Sequence, residues 1–457
     1  MRITARQKAR LLKLAAVLIL ALPFLALYPA WVAVAKISES LVRCKVELDR
    51  TVLPAGAPRK AVMKVTLAAA RPTKKMKRPS VNLAIVLDRS SSMTGPKLGK
   101  AKSGLLQALR RLESKDVFSV VAYNHEIDTV VPAQSAKNAE MIEARVRGIR
   151  ASGRTALFGG VSQGAAEIRK HLDGKYFHRI ILLSDGLANV GPRSPEDLGR
   201  LGVALGKEGI SVSTVGVGSD YNEDLMTRLS QSSDGNTYFV ESSDDLPRIF
   251  AAELGDVLSV VAKNVRITIQ CAKGVKPLTI IGRDGRISGQ TVELSLNQLY
   301  GGQEKFALVE IEVPTGKSGE EKEIAVAQVS YKNPFTQIAE TSSGRAKVRL
   351  SADSTEVRKS ANVVAIKDYW LNLSAGAQDK AIALADSGKI QEAAKELRRS
   401  ANTLREQAEN FKIPALTKRA AELETQAAEI AARGMTRKSR KLLRTDSYQT
   451  RNQQMHR

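Results

Sequence analysis

The sequence predicts an α/β doubly wound fold with a mostly parallel sheet, joined to an antiparallel β-sandwich and an α-helical C-terminal module. Three observations predict it. From Val81 to about Leu258, short apolar runs alternate with stretches of helical periodicity. On both sides of that block the apolar period falls to two. From about Ser354 the chain is helical in pattern and rich in Ala, Glu, Lys and Arg.

Taken in order, Arg2, Arg6, Lys8, Arg10 and Lys13 precede the uncharged, mostly apolar run Leu14–Ala35, with Pro29 shortly before Ala33-Val34-Ala35. A basic flank, an apolar run and a small-x-small end form an export signal. Counted to Ala35, the run also reaches the ~20 residues that span a bilayer. Residues 1–35 therefore read as a signal peptide or a membrane anchor, and the basic flank predicts translocation of everything that follows. The expected location is exported, in the periplasm or cell envelope, with residues 14–35 holding the chain in the inner membrane if they are kept.

Leu41–Leu48 and Ala61–Leu67 alternate as strands, and residues 36–78 are assigned to the sandwich. Two strands are too few to be stable alone and need a sheet to join. Val81–Leu87 is apolar except for Asn82, as expected of a strand covered on both faces. The helix Lys97–Leu112, the strand Val117–Tyr123 and an antiparallel neighbour at Glu126–Val131 follow. Next come helices at Asn138–Ile149 and Phe158–Leu172, then the strand His178–Leu183. Ser194-Pro195-Glu196-Asp197 starts a helix with a capping Ser, Pro in the first turn and acids at the positive dipole end. Strands Ile210–Val217 and Tyr238–Glu241 close the sheet, with helices at Glu223–Ser230 and Asp244–Leu258, giving a domain over residues 79–258. The acids of Asp220–Asp224 read as the capped, acidic first turn of a helix rather than a second metal site.

Val265–Cys271, Leu278–Ile281, Thr291–Leu296, Lys305–Val313, Glu323–Tyr331 and Lys347–Leu350 supply the remaining sandwich strands, over 259–352. Residues 354–432 read as a helical hairpin module, an antiparallel pair over Glu356–Leu404 and a third helix at Pro414–Ala432. Residues 433–457 are basic and polar with little periodicity, and a disordered tail is expected there.

Three loops carry the chemistry. Asp88-Arg89-Ser90-Ser91-Ser92 follows the first strand, Gly153-Arg154-Thr155 precedes a helix, and Ser184-Asp185-Gly186 follows the apolar Ile180–Leu183. All three fall on the carboxyl edge of the sheet, where open α/β folds bind ligands. Small, hard oxygen donors crowded on one loop suit Mg²⁺.

This combination resembles the von Willebrand factor A (VWA) domain and its metal-ion-dependent adhesion site, down to Met93 and Gly95. The resemblance implies a divalent metal, Mg²⁺ or Mn²⁺, held by Asp88, Ser90, Ser92, Thr155 and Asp185. It also implies a protein partner whose Asp or Glu carboxylate completes the coordination. Arg89 departs from the family pattern at a position that is not a ligand. The order of VWA domain, β-rich stretch and helical tail is similar to that of bacterial envelope proteins.

A net charge of +24 over 457 residues draws a chain to anionic surfaces, and the basic tail offers association with a membrane or an anionic cell wall. Nucleic acid is not expected, because aromatic content is only 4% and no nucleic-acid-binding signature accompanies the charge. Catalysis is not expected either. A haloacid-type phosphatase needs a second Asp where Ser90 stands, and no other nucleophile or metallohydrolase motif occurs. A metal-dependent phosphatase stays the remote alternative, and a structural scaffold acting through the C-terminal helices the nearer one. Cys44 and Cys271 flank the α/β block. Outside the cytosol they can pair and tie its two flanks together, or stay as buried thiols.

Overall fold

Val42, Cys44, Val46 and Leu48 are buried while Arg43 and Lys45 are exposed, so β1 (Val42–Leu48) is a half-buried strand of period two. The computed structural model describes residues 40–72 and 78–454. The expected signal or anchor over residues 1–35 lies outside the described residues. After β1 come the short β2 (Val52–Pro54) and β3 (Arg59–Ala69).

The α/β layer begins with β4 (Ser80–Asp88), followed by helix α1 (Pro96–Leu109), β5 (Val117–Tyr123) and β6 (Ile127–Ser135). Helices α2 (Ala139–Arg147) and α3 (Leu157–Arg169), β7 (Tyr176–Ser184), α4 (Pro195–Lys207) and β8 (Ile210–Val217) continue it. Helix α5 (Glu223–Ser232), β9 (Thr237–Val240) and α6 (Leu246–Leu258) complete it. The six strands lie in the order β6-β5-β4-β7-β8-β9, parallel except for the β5–β6 pair. Alternate residues of β4 feed two cores. Val81, Leu83, Ile85 and Leu87 pack with α1, α2 and α6, and Ala84 and Val86 pack with α3, α4 and α5. The sheet is therefore doubly wound. Its order reverses between β4 and β7, which opens a crevice at their carboxyl ends.

Beyond it run β10 (Val260–Cys271), β11 (Lys276–Ile281), β12 (Arg286–Ser288), β13 (Thr291–Tyr300), β14 (Glu304–Val313), β15 (Glu321–Lys332) and β16 (Ala339–Ser351). One antiparallel sheet is ordered β1-β3-β14-β11 and the other β12-β13-β10-β15-β16-β2, and the two share one apolar core. Strands from both sides of the α/β layer thus meet, with β3 and β14 paired over ten positions from Arg59↔Val313 to Ala68↔Glu304. The expected antiparallel sandwich needs one correction, because β2 joins β16 in parallel. Cys44 and Cys271 line the shared core as free, buried thiols. Burial pushes both thiols up to about 11.

Short α7 (Ser354–Lys359) leads into α8 (Val363–Asp386), α9 (Ile390–Phe411) and α10 (Pro414–Arg433), which pack around Leu397, Leu404, Leu416, Leu423 and Ile430. Lys64 on β3 donates to Asp368 on α8 at 2.6 Å and ties this module to the sheets.

The expected disordered tail is corrected over Arg437–Arg451, which form helix α11. Its charges find partners on distant elements. Arg440 pairs with Glu223 and, at 2.7 Å each, with Asp224 and Asp386, while Arg444 pairs with Asp224 at 2.8 Å and Asp379 at 2.6 Å. Lys441 also pairs with Glu223, at 2.8 Å. Leu443 and Tyr448 are buried, and the Tyr448 hydroxyl donates to the Gly235 carbonyl at 2.5 Å. Neutralised cations and an aromatic anchor offset the low hydrophobicity that argued for disorder. Among the described residues no helix is long and apolar enough to cross a membrane.

Candidate metal centre

Strand β4 ends on Asp88 and β7 ends on Ser184, so the first and third loops leave neighbouring strands on either side of the crevice. Backbone bonds stitch the second loop to both. Ser91 N donates to Gly153 O at 3.1 Å and Ser152 N to Arg89 O at 2.8 Å. Thr155 O accepts from Asn189 N at 3.0 Å and Val190 N at 3.2 Å, and Thr155 N donates to Asn189 Oδ1 at 2.8 Å. Gly153 has a positive φ of 76°, and a Cβ there would collide with the His125 ring. Only glycine lets this turn deliver Thr155.

The five residues expected at the site are brought together. Asp88 is fully buried, its Oδ1 accepting from Ser90 N at 2.8 Å and its Oδ2 from Ser184 Oγ at 2.6 Å. Burial pushes its carboxyl up to about 6, against the opposing pull of hydrogen bonds from Ser184 and Ser90. Ser90 Oγ and Ser92 Oγ lie 3.0 Å apart, and Ser92 Oγ donates to Asp185 Oδ1 at 2.7 Å. Asp185 is also fully buried. Gly186 marks where the hydroxyls converge. A Cβ there would lie 3.2 Å from Ser92 Oγ, 3.4 Å from Thr155 Oγ1 and 3.9 Å from Ser90 Oγ. Arg89 turns away, toward Asp128 on β6 at 3.8 Å.

Three neutral hydroxyls around one point, backed by two buried carboxylates, form a hard-oxygen set that fits a small divalent cation. Among the described residues no group of three or more His, Cys, Asp or Glu is placed to hold a metal. A cation at this edge would depend on the hydroxyls.

A family model of the von Willebrand factor type A domain matches residues 82–252. Those residues form a VWA domain. An uncharacterized protein of Synechocystis is 28% identical over 244 residues, covering 53% of this chain and 57% of that protein. The uncharacterized protein YfbK of Escherichia coli is 27% identical over 213 residues, covering 46% and 37% respectively. The chain thus spans less than two thirds of the length of either relative. The solved von Willebrand factor type A structure from Catenulispora acidiphila superposes with a TM-score of 0.65 at 19% identity. That superposition covers 82% of this chain and 89% of the other, and it reports the fold alone.

Sequence reasoning missed three residues of the VWA site. Ser184 orients Asp88, and Asn189 holds the Thr155 loop by its side chain. Lys97 Nζ donates to Asp185 Oδ2 at 2.6 Å. A signal for Lys97 was available, because a lysine in the first turn of a helix opposes the helix dipole and needs a compensating anion.

Proposed function

We propose that the carboxyl edge of the VWA domain is a divalent-metal-dependent docking site for a protein partner. The observation that carries this reading is the convergence of Ser90, Ser92 and Thr155 hydroxyls on one point beside Asp185. Mg²⁺ or Mn²⁺ would be held by those hydroxyls with Asp88 and Asp185. Asp88 also orients Ser90, accepting from its backbone N–H at 2.8 Å, and balances charge. A cation with so few carboxylates stays electrophilic and takes an Asp or Glu carboxylate from the partner. Ser91, Ser92, Thr94 and Leu187 around it are exposed, which leaves room for that approach.

The proposed setting is the bacterial cell envelope, with the chain exported by residues 1–35. That part rests on the basic flank and apolar run of the sequence. Attachment to anionic surfaces through the tail loses ground, since Arg440, Lys441, Arg444 and Arg451 are committed to internal carboxylates.

The test is recovery of envelope proteins on immobilised wild type, Asp88→Ala and a Gly388–Ala394 deletion, each with Mg²⁺ or EDTA. Recovery lost with Asp88→Ala and with EDTA, and kept in the deletion, is expected. Recovery that ignores metal and Asp88 but fails in the deletion would transfer the function to the helical module.

A further inference from the structure

We infer that Lys97 is a tethered cation that competes with the divalent metal for Asp185 and so sets the metal affinity of the site. The inference rests on the metal-site reading above and deepens it. Lys97 stands in the first turn of α1, directly after Pro96, with no acid in that turn. A cation at the positive end of a helix is disfavoured. Asp185 supplies the compensation, since the two groups form an ion pair at 2.6 Å in which Asp185 is fully buried and Lys97 about one-third exposed.

The two oxygens of Asp185 are therefore divided. Oδ1 accepts from Ser92 on the hydroxyl side and Oδ2 from Lys97 on the other. The site carries two carboxylates, and Lys97 cancels one of them before any metal arrives. A divalent ion among Ser90, Ser92 and Thr155 must share Asp185 with the ammonium or displace it. If displaced, the ammonium is left beside the exposed mouth of the site, where an incoming carboxylate would also meet it. Weak metal binding alone and stronger binding with an anionic partner follow from this arrangement.

At the effective dielectric of a partly exposed site, one unit charge a few ångströms from a divalent ion changes affinity by about ten-fold or more. The experiment is calorimetric titration of Mn²⁺ and Mg²⁺ into the full chain as wild type, Lys97→Gln, Lys97→Met, Lys97→Arg and Asp88→Ala. Melting curves with and without metal accompany each variant. Both neutral variants are expected to bind about ten-fold tighter than wild type, and Lys97→Arg to stay within about two-fold of it. Without metal the neutral variants should melt lower, because Asp185 loses its countercharge, and metal should raise their melting points by more than it raises wild type.

Equal or weaker binding by Lys97→Gln and Lys97→Met, with wild type still binding, overturns the inference and leaves the metal site standing. Tighter binding by Lys97→Arg as well also overturns it, since charge would not be the cause. If wild type binds no better than Asp88→Ala, the metal reading itself fails.

Discussion

Strand β7 carries a buried charge near each end, and the two ends are treated in opposite ways. Near its start, Arg179 is 1% exposed and meets fully buried Glu253 at 3.3 Å. Arg179 also donates to Ser213 at 2.9 Å and to the Tyr300 hydroxyl, and Glu253 accepts from Ser213, from Asn236 at 2.9 Å and from Tyr238 at 3.0 Å. Just past its other end, Asp185 has, among the described residues, a serine hydroxyl and a part-exposed lysine as partners. Nearly every polar atom of the first cluster is committed within the protein, and Tyr300 makes it a joint between the VWA domain and the β-sheets. The second keeps hydroxyls turned to an open edge. Near-complete pairing within the interior marks a structural cluster, and hydroxyls left open at a surface mark a candidate binding site.

The sharpest way to break this contrast is to unpair the structural end. Arg179→Met leaves Glu253 buried without its countercharge and should cost about 3–5 kcal/mol in denaturant unfolding. Adding Glu253→Gln should recover most of that loss, because burying neither charge is far cheaper than burying one. A cost for Arg179→Met near that of a surface substitution would show that the cluster is not the joint described here.

At the open end the matching probe is Gly186→Ala. The backbone of Gly186 is not in the left-handed region, so alanine brings only the bulk of its Cβ. That Cβ would enter the space bounded by Ser92, Thr155 and Ser90. Wild type should be stabilised by about 2.7 kcal/mol at a metal concentration one hundred times Kd. Gly186→Ala should lose that increment while changing metal-free stability little. Melting in Mg²⁺ and in EDTA measures both, and an undiminished metal increment would remove the hydroxyls from the site.

The two ends also differed in how far sequence revealed them. Asp88, Ser90, Ser92, Thr155 and Asp185 were legible because apolar period located the strands and helix beside their three loops, and the resemblance to the VWA domain singled them out within those loops. The Arg179 cluster was not. Its members come from β7, β8, β9, α6 and β13, and no local pattern joins Arg179 to Tyr300 across 121 positions. For the same reason α11 read as disordered, since its carboxylate partners Glu223 and Asp224 lie more than 200 positions away. The first half of β16, Ala339–Arg345, was missed because its side chains are polar on both faces. Its strand character comes from pairing with β15.

Lys305 sharpens the comparison, for it is buried like Arg179 but among the described residues has no carboxylate within salt-bridge reach. The residue is 5% exposed, and among the described residues its ammonium donates to Asn452, at the backbone carbonyl and, at 2.9 Å, at the side-chain oxygen. Burial, reinforced by the Arg283 charge and opposed by Asp234, pulls it down to about 7. The sign follows from proton counting. Between about pH 7 and the ordinary lysine value near 10.4 the unfolded chain holds this proton and the folded chain does not. Stability therefore rises with pH through that window, and below pH 7 the full cost of the buried ammonium is carried. The slope contributed by Lys305 should approach about 1.4 kcal/mol per pH unit at most. Lys263, drawn down to about 8, adds a slope of the same sign, while the two raised thiols act in the opposite sense. Subtracting the Lys305→Met curve from wild type, in denaturant unfolding from pH 6 to 10, isolates the contribution. A flat difference would mean that Asn452 alone compensates the charge, and that backbone and side-chain amide oxygens suffice for a buried cation without any carboxylate.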